Sequence, residues 1–301
     1  MIRKFLLHIK EYFRWYLLGF LLIISALLWH SAIRENRNGL LTVTFLNIGQ
    51  GDAIFIESPT GTQVIFDGGP DKSLMREISA VLPWYDRHID MLVNTNSDKD
   101  HYFGFIPLLD KYKTDVFMES GAKTPSVEFS YLKEKLKIKN VPDLLAQRGE
   151  VIDLGGGVYI TILFPNRDVS GLSTNDASIV AKLSYGETSL MLQGDSTSKM
   201  EKYILTLPGD LSTDILKAGH HGSKTSTSPE YVKAVSPQYA IISAGKNNPY
   251  GHPHQETVDT LTKAKTQILA TCSMGQITFQ SDGKNFILKN KNVVPVLVGC
   301  K

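Results

Sequence analysis

Asn94-Thr95-Asn96-Ser97-Asp98-Lys99-Asp100-His101 follows directly on the apolar run Ile89, Met91, Leu92 and Val93, and Gly104 closes the stretch within a turn. The apolar run predicts a buried strand, and the polar stretch predicts a short turn at its end. Asp98, Asp100 and His101 stand so close together that they cannot all be buried without a cation or strong pairing. A metal site satisfies them most simply. Asn96 stands where such a cluster would carry a leading His, and its amide is a poor metal ligand.

Outward from this turn, strands and helices alternate from Leu40 onward. Thr42–Asn47 and Ala53–Glu57 read as strands around Gly49-Gln50-Gly51-Asp52, and Thr62–Phe66 as a third ended by Asp67-Gly68-Gly69. Helical spacing runs through residues 74–82, 105–112, 129–137, 199–207, 229–235 and 255–263. Strand patterns occupy 116–119, 158–164, 215–218, 239–243, 267–271, 275–280 and 285–288. The runs 179–185 and 189–193 pair about the Gly186-Glu187 turn. Strand-rich halves with helices between them predict two sheets packed face to face and covered by helices.

The chain has 301 residues, 42% hydrophobic and 21% charged, which describes a folded protein of one large or two small domains. Its net charge of +2 is unevenly spread: residues 1–38 carry +4, which leaves −2 for residues 39–301. A slightly acidic body argues against a broad, sequence-independent grip on nucleic-acid backbone. The cysteines are Cys272 and Cys300, with no CxxC or zinc-finger spacing. Two unpaired thiols and a disulfide tying the tail to the body are both open.

From Trp15 to Ile33 there is no formally charged residue. Nineteen helical residues span roughly 28 Å, about one hydrocarbon core. Trp15, Tyr16 and Trp29 sit where interfacial aromatics belong. Arg3, Lys4, Lys10 and Arg14 precede the segment and Arg34 and Arg37 follow it. The positive-inside bias then predicts a cytoplasmic N-terminus and residues 39–301 outside. A cleaved signal peptide competes, but no A-x-A-like site closes the segment. The expected organisation is a cytoplasmic basic segment 1–14, a transmembrane helix 15–33, a linker 34–39, a hydrolase-like domain 40–290 and a C-terminal tail 291–301.

Polar clusters stand where apolar strands end: Asn96, Asp98, Asp100 and His101; Asn175-Asp176; Asp195 after Gly194; His220-His221; and His252 and His254 around Pro253. Strand ends are the usual place for site residues in α/β folds. With these residues in view the chain resembles the metallo-β-lactamase superfamily, and within it the hydrolase-like domain of the ComEC competence proteins. The segments that carry the likeness are TVTFLNIGQGDAIFI (42–56), VIFDGG (64–69), LVNTNSDKDHYFG (92–104), TNDASIV (174–180), SLMLQGD (189–195), ILKAGHHGSKTSTS (215–228), SAGKNNPYGHPH (243–254) and TCSMGQITF (271–279).

The resemblance implies an α/β fold, an αββα sandwich, here preceded by one N-terminal transmembrane helix. It implies Asp98 on one metal, Asp100 and His101 on another, Asp195 as the bridge, and His220 or His221 as a late ligand. Asn96, Asn175, Asp176 and Asp67 are further ligands or residues behind the ligands. Asp100, His252 and Lys224 are the catalytic candidates, and Ser223 and His254 the substrate contacts. Two departures weaken the first metal position: Asn96 replaces the family's His, and Asn47 replaces its usual Asp. One or two divalent ions are expected, zinc or manganese first and magnesium also open, since the carboxylate-rich ligand set is harder than a three-His site and leaves manganese or magnesium open beside zinc. The implied reaction is metal-dependent hydrolysis of a phosphodiester, in nucleic acid or in the cell envelope, by a protein anchored in the membrane. A degenerate hydrolase fold that binds without turnover is the main rival, and a lactonase or β-lactam hydrolase a third reading.

Overall fold

The computed structural model describes residues 2–35, 37–290 and 300, and within the first helix the side chains of residues 8, 10–27 and 29. The chain divides into two compact units, Met1–Asn38 and Gly39–Lys301. The first is one helix, α1 (Ile2–Glu35). Among the described residues no helix is long and apolar enough to cross a membrane. The span expected over 15–33 runs past them, because the side chains of 28 and 30–33 lie outside the described residues. The tail expected at 291–301 also lies outside them, apart from Cys300.

The second unit opens with β1 (Leu41–Phe45), β2 (Ile54–Glu57) and β3 (Gln63–Phe66), an antiparallel meander. After α2 (Ser73–Val81) come β4 (His88–Asn94), the one-turn helices α3 (Lys99–Tyr102) and α4 (Phe105–Leu108), and β5 (Lys113–Glu119). Then α5 (Val127–Ile138) leads to β6 (Asp143–Leu145), and β3 to β6 run parallel. The helix expected over 105–112 is thus shorter and is preceded by a separate turn. The break falls at Gly104, where a Cβ would collide with the Gly68 carbonyl. That close approach lets α3 swing Asp100 and His101 toward the end of β3.

The second sheet is built from β7 (Val151–Gly155), β8 (Val158–Phe164), β9 (Val180–Tyr185) and β10 (Thr188–Leu192), all antiparallel. It continues through α6 (Ser198–Leu205), β11 (Ile215–Lys217), α7 (Pro229–Val235), β12 (Tyr239–Ile242), α8 (Gln255–Lys263) and β13 (Gln267–Ala270), and from β10 to β13 the strands run parallel. After α9 (Thr271–Met274) the chain returns to the first sheet as β14 (Ile277–Ser281) and β15 (Phe286–Leu288). The orders are β15-β14-β1-β2-β3-β4-β5-β6 and β13-β12-β11-β10-β9-β8-β7.

Two-residue alternation explains the layers. Leu41, Val43, Phe45, Ile54 and Ile56 enter the space between the sheets and join Leu190, Leu192, Ile215 and Ile241. On the other face of the first sheet, Phe55, Ile65 and Leu92 lie under Leu74, Ile78, Phe105 and Leu132. On the far face of the second, Met191, Leu216 and Ala240 lie under Met200, Ile204, Val232 and Leu261. A one-residue slip of β1 would turn Thr42 and Thr44 into the layer between the sheets and take Leu41, Val43 and Phe45 out of it. Each is worth about 1.5–3 kcal/mol when buried, so the register is fixed. The result is helix, sheet, sheet, helix. Cys272 and Cys300 form a disulfide, which settles the pairing that sequence left open.

Candidate metal centre

Parallel strands end together at one edge of the sandwich, and their following turns carry the polar clusters. Asp67 follows β3, the 94–101 turn follows β4, Asp195 follows β10, His220 and His221 follow β11, and Ser243 follows β12. The backbone at these turns is unusual. Asp67, His220 and His221 have φ of 61°, 48° and 55°, the left-handed region that costs a residue with a Cβ. Two successive histidines held there are paid for by their surroundings, and those surroundings are the candidate site.

Asp100, His101, Asp195 and His221 each bring one ligand atom to a common centre, all within 4.8 Å of one another. Asp195 Oδ2 lies 3.1 Å from His101 Nε2 and 3.4 Å from His221 Nε2, and Asp100 Oδ2 lies 3.2 Å from His221 Nε2. Yet His101 Nε2, His221 Nε2 and Asp195 Oδ1 are buried with no hydrogen-bond partner. Both ring nitrogens thus lie beside Asp195 Oδ2 without a hydrogen-bond partner of their own. The far side of each ring is pinned. His101 Nδ1 sits 2.9 Å from Asp67 Oδ2, while Asp67 also accepts from the Thr95 amide and hydroxyl at 2.7 and 2.6 Å. His221 Nδ1 donates to the Ser243 carbonyl at 3.1 Å and lies 3.3 Å from Asp52 Oδ1. A proton fixed on Nδ1 leaves Nε2 as the ligand atom, the arrangement metal-binding histidines use.

Charge points the same way. Burial alone would lower the imidazoles of His101 and His221, but the surrounding carboxylates outweigh it. Asp195 and Asp67 hold His101 well above its ordinary pKa, and Asp195 and Asp52 do so for His221. Asp195 is pushed up by burial and pulled far below the carboxylate range by the same two rings. The centre is built to hold positive charge, as protons or as a cation, and two His with two carboxylates suit a divalent ion. In ion-free protein both rings keep their protons to higher pH than in the unfolded chain, where they titrate near 6.5. That contribution to stability is complete below the unfolded value and fades as pH rises through the folded values. An ion binding at Nε2 displaces these protons, so its own stabilisation grows over the same range. The Tm of chelator-treated protein is expected to fall as pH rises above about 6.5, and the Tm gain on adding Mn²⁺ or Zn²⁺ to rise. A gain independent of pH would remove the two histidines from the ligand set.

The other residues expected from sequence take different places. Asp98 is outside the four-ligand group. Its carboxylate accepts from Thr174 Oγ1 at 2.9 Å, and burial raises its pKa. Asn96 is fully buried and engaged at both ends. Its Nδ2 donates to Asn175 Oδ1 at 2.8 Å and Ser178 Oγ at 3.3 Å, and its Oδ1 accepts from the Asp98 amide at 2.8 Å. Asn175 is thereby occupied too. Asp176 accepts from Thr197 Oγ1 at 2.6 Å and Lys199 Nζ at 2.7 Å, away from the centre. Asp67 is not in the four-ligand group and serves by orienting His101. His220 stands at the rim, its Nε2 3.7 Å from Asp195 Oδ2. Its ring is 5.6 Å from that of His252, which in turn is 6.2 Å from that of His221. His254 Nδ1 accepts from the Lys224 amide at 3.2 Å, and buried Ser223 lies 3.0 Å from Thr225 Oγ1. Lys224 is exposed and lines a recess with Lys202, Glu230 and Glu256 that contains none of the four ligands, so it does not join the centre.

Two residues were missed: Asp52 and Lys217, each 1% exposed and paired with one another. A signal existed for both. Lys217 is a lone cation at the end of the apolar strand that includes Ile215 and Leu216, and Asp52 follows two glycines. At Gly51, with φ 130°, a Cβ would strike the Asp100 carbonyl, so glycine there lets Asp52 reach the centre. A further carboxylate group, His88, Asp90 and Asp115, is partly exposed, and His88 spends its two nitrogens on different carboxylates.

The chain belongs to the metallo-β-lactamase superfamily, whose family profile matches residues 46–246. "ComE operon protein 3" of Bacillus subtilis is 29% identical over 260 residues, 79% of this chain and 33% of that one. "Recombination protein 2" of Haemophilus influenzae is 30% identical over 240 residues, 78% of this chain and 28% of that one. These are relatives of the ComEC kind, and the chain spans about a third of their length. Among solved structures, the metallo-β-lactamase fold protein YhfI of Bacillus subtilis superposes with a TM-score of 0.54 at 11% identity, covering 80% of this chain and 100% of that one. At that identity the likeness speaks for the fold alone.

Proposed function

We propose that this member of the metallo-β-lactamase superfamily is a metal-dependent phosphodiester hydrolase. The observation that carries the reading is the convergence of one ligand atom each from Asp100, His101, Asp195 and His221, with the Nε2 atoms of both histidines buried and without a hydrogen-bond partner. A divalent ion held by these four would supply Lewis-acid charge for a phosphate oxygen and a water of lowered pKa. The chain's own residues would do the rest. His252 Nδ1 faces Gln50 Nε2 at 3.3 Å, and Gln50 Oε1 accepts from the Gly245 amide at 3.2 Å. That fixes the amide so that it donates to Nδ1, and leaves the His252 proton on Nε2. Burial and the neighbouring His221 hold the His252 pKa down to about 4. His252 is therefore a neutral hydrogen-bond donor near pH 7, suited to a non-bridging phosphate oxygen or a leaving oxygen. His220, 26% exposed at the rim, is the second ring able to meet substrate.

The name of the Haemophilus relative, a recombination protein, favours nucleic acid over an envelope polymer. The −2 charge of residues 39–301 favours a short contact over a long backbone track. Purified full chain incubated with bis(p-nitrophenyl) phosphate and Mn²⁺ or Zn²⁺ should release p-nitrophenolate, and chelator should stop it. Ion uptake with no hydrolysis of this diester or of an oligonucleotide would instead support a binding protein, a reading that the engaged Asn96–Asn175 pair also favours.

The same reading places the body outside the cytoplasm, anchored by residues 15–33. The uncharged segment, the basic excess before Trp15 and the Cys272–Cys300 disulfide support it, since disulfides persist in oxidising compartments. Protease added to intact cells should digest the body. Full protection until lysis would reverse the orientation.

A further inference from the structure

Lys217 and Asp52 bring a full positive and a full negative charge into the interior, and the proposed chemistry uses neither. Alternation explains how they meet. Ile215 faces the space between the sheets, and Lys217, two residues on, shares that face at the end of β11. Asp52 comes from the other sheet, one residue before the buried Ala53 that leads into β2. The pair thus ties one sheet to the other beneath the candidate centre, with Lys217 Nζ directly on Asp52 Oδ2.

Their remaining contacts reach the candidate ligands without repetition. The Asp52 amide donates to the Asp100 carbonyl at 3.2 Å. Asp52 Oδ1 lies 3.3 Å from His221 Nδ1, and Oδ2 lies 3.9 Å from His101 Nδ1. Lys217 Nζ donates to the Gly194 carbonyl at 3.0 Å and sits 4.0 Å from Asp195 Oδ1. The same Gly194 carbonyl accepts from the His220 amide at 3.1 Å, which joins the Asp195 turn to the histidine turn. Three ligand residues lean on Asp52 and the fourth on Lys217.

We propose that Asp52 and Lys217 are positioning residues, a buried charge clamp that holds all four candidate ligands in register for one divalent ion. The inference rests on the metal-dependent reading above. A buried pair of this kind is poor evidence for stability, because well-packed neutral groups often replace one at little cost. Its place among Asp67, Asp100 and Asp195 points to geometry instead. Lys217 Nζ holds Asp52 Oδ2 in place behind His221, and it fixes the Asp195 turn through the Gly194 carbonyl.

The test compares wild type, Asp52→Asn, Lys217→Met and the double variant, with Co²⁺ as the probe ion. Co²⁺ affinity is read by chelator competition, site geometry by the visible d–d bands, and folding by the Tm of ion-free protein. Each single variant leaves one buried charge unpaired, so each should melt early. The double variant leaves none and should recover most of the Tm. Its Co²⁺ affinity should still be about 10–100-fold below wild type, the usual loss when a group behind a ligand is removed. Its d–d bands should shift as well. A double variant with wild-type affinity and bands would show that the pair only fills space, and the proposal fails. Should Lys217→Met and the double variant not fold, the isosteric Asp52→Asn carries the same comparison of affinity and bands. Wild type that takes up no Co²⁺, Mn²⁺ or Zn²⁺ sinks the metal reading and this proposal with it. Uptake by wild type and by the double variant alike sinks this proposal alone.

Discussion

Asp195→Asn is expected to abolish hydrolysis and to strip the centre of its ion, with a lower Tm for the ion-free protein because His101 and His221 lose a carboxylate partner. Asp195 Oδ2 is the anion that His101, His221 and His220 share, at 3.1, 3.4 and 3.7 Å. An amide keeps the shape and removes the charge. Removing one partner of a buried charged pair costs about 3–5 kcal/mol, or about two to three and a half orders of magnitude in affinity. Asp195 precedes α6 and is not part of the apolar contacts between the sheets, so the variant should still fold and the ion should bear the larger loss. Metal analysis after dialysis, with diester turnover beside it, reads both effects. A variant that keeps its ion within tenfold of wild-type affinity would show that Asp195 is not a ligand.

The fold was legible because its strands carry their burial in alternation. β1 and β2 place apolar residues on two faces with period two, and β4 is apolar enough to read as buried on both. The two strands that escaped notice lie at sheet edges. Every residue of β6 is exposed, and β7 begins with an exposed Val151, so neither shows the buried face that pattern reading depends on. The helix expected over 105–112 starts at Phe105 as read but ends at Leu108, where the chain turns and the Lys111 and Tyr112 amides both bond the Leu108 carbonyl.

The site was legible at strand ends and illegible one layer behind them. Asp100, His101, Asp195 and His221 stand in polar clusters that no packing pattern explains, and the structure gathers them. Choosing His221 over His220 needed the backbone, since both rings sit on left-handed residues and only one turns inward. Asp52 and Lys217 each left only a local signal, an acid after two glycines and a lone lysine ending an apolar strand, and neither signal names the other as its partner. They acquire meaning only when 165 residues of chain fold to put one on the other. Lys224, which stands beside the histidine pair in sequence, lines a separate recess with Lys202, Glu230 and Glu256.

Asn96→His is expected to convert a centre that holds one ion into one that takes up two. In wild type the position beside Asp98 is closed by hydrogen bonds rather than by a ligand. Asn96 Nδ2 holds Asn175 and Ser178, and Asn96 Oδ1 holds the Asp98 amide. Thr174 takes the Asp98 carboxylate. The four-ligand group needs none of these residues, so dialysed wild type should retain one ion per chain. An imidazole at 96 supplies a nitrogen beside Asp98 and breaks the tie to Asn175 at the same time. Leaving the Asp98 amide without its acceptor costs about 1–3 kcal/mol, so the ion-free variant should melt below wild type. Added ion should return that loss as the second position fills. Metal stoichiometry by native mass spectrometry and diester turnover are the readouts. Stoichiometry and turnover rising together would mean that the amide lock limits activity in the natural chain. Two ions with no turnover would favour a binding protein. Two ions held tightly by wild type would mean that Asn96, or a neighbour, already serves as a ligand, and the account of the closed position would be wrong.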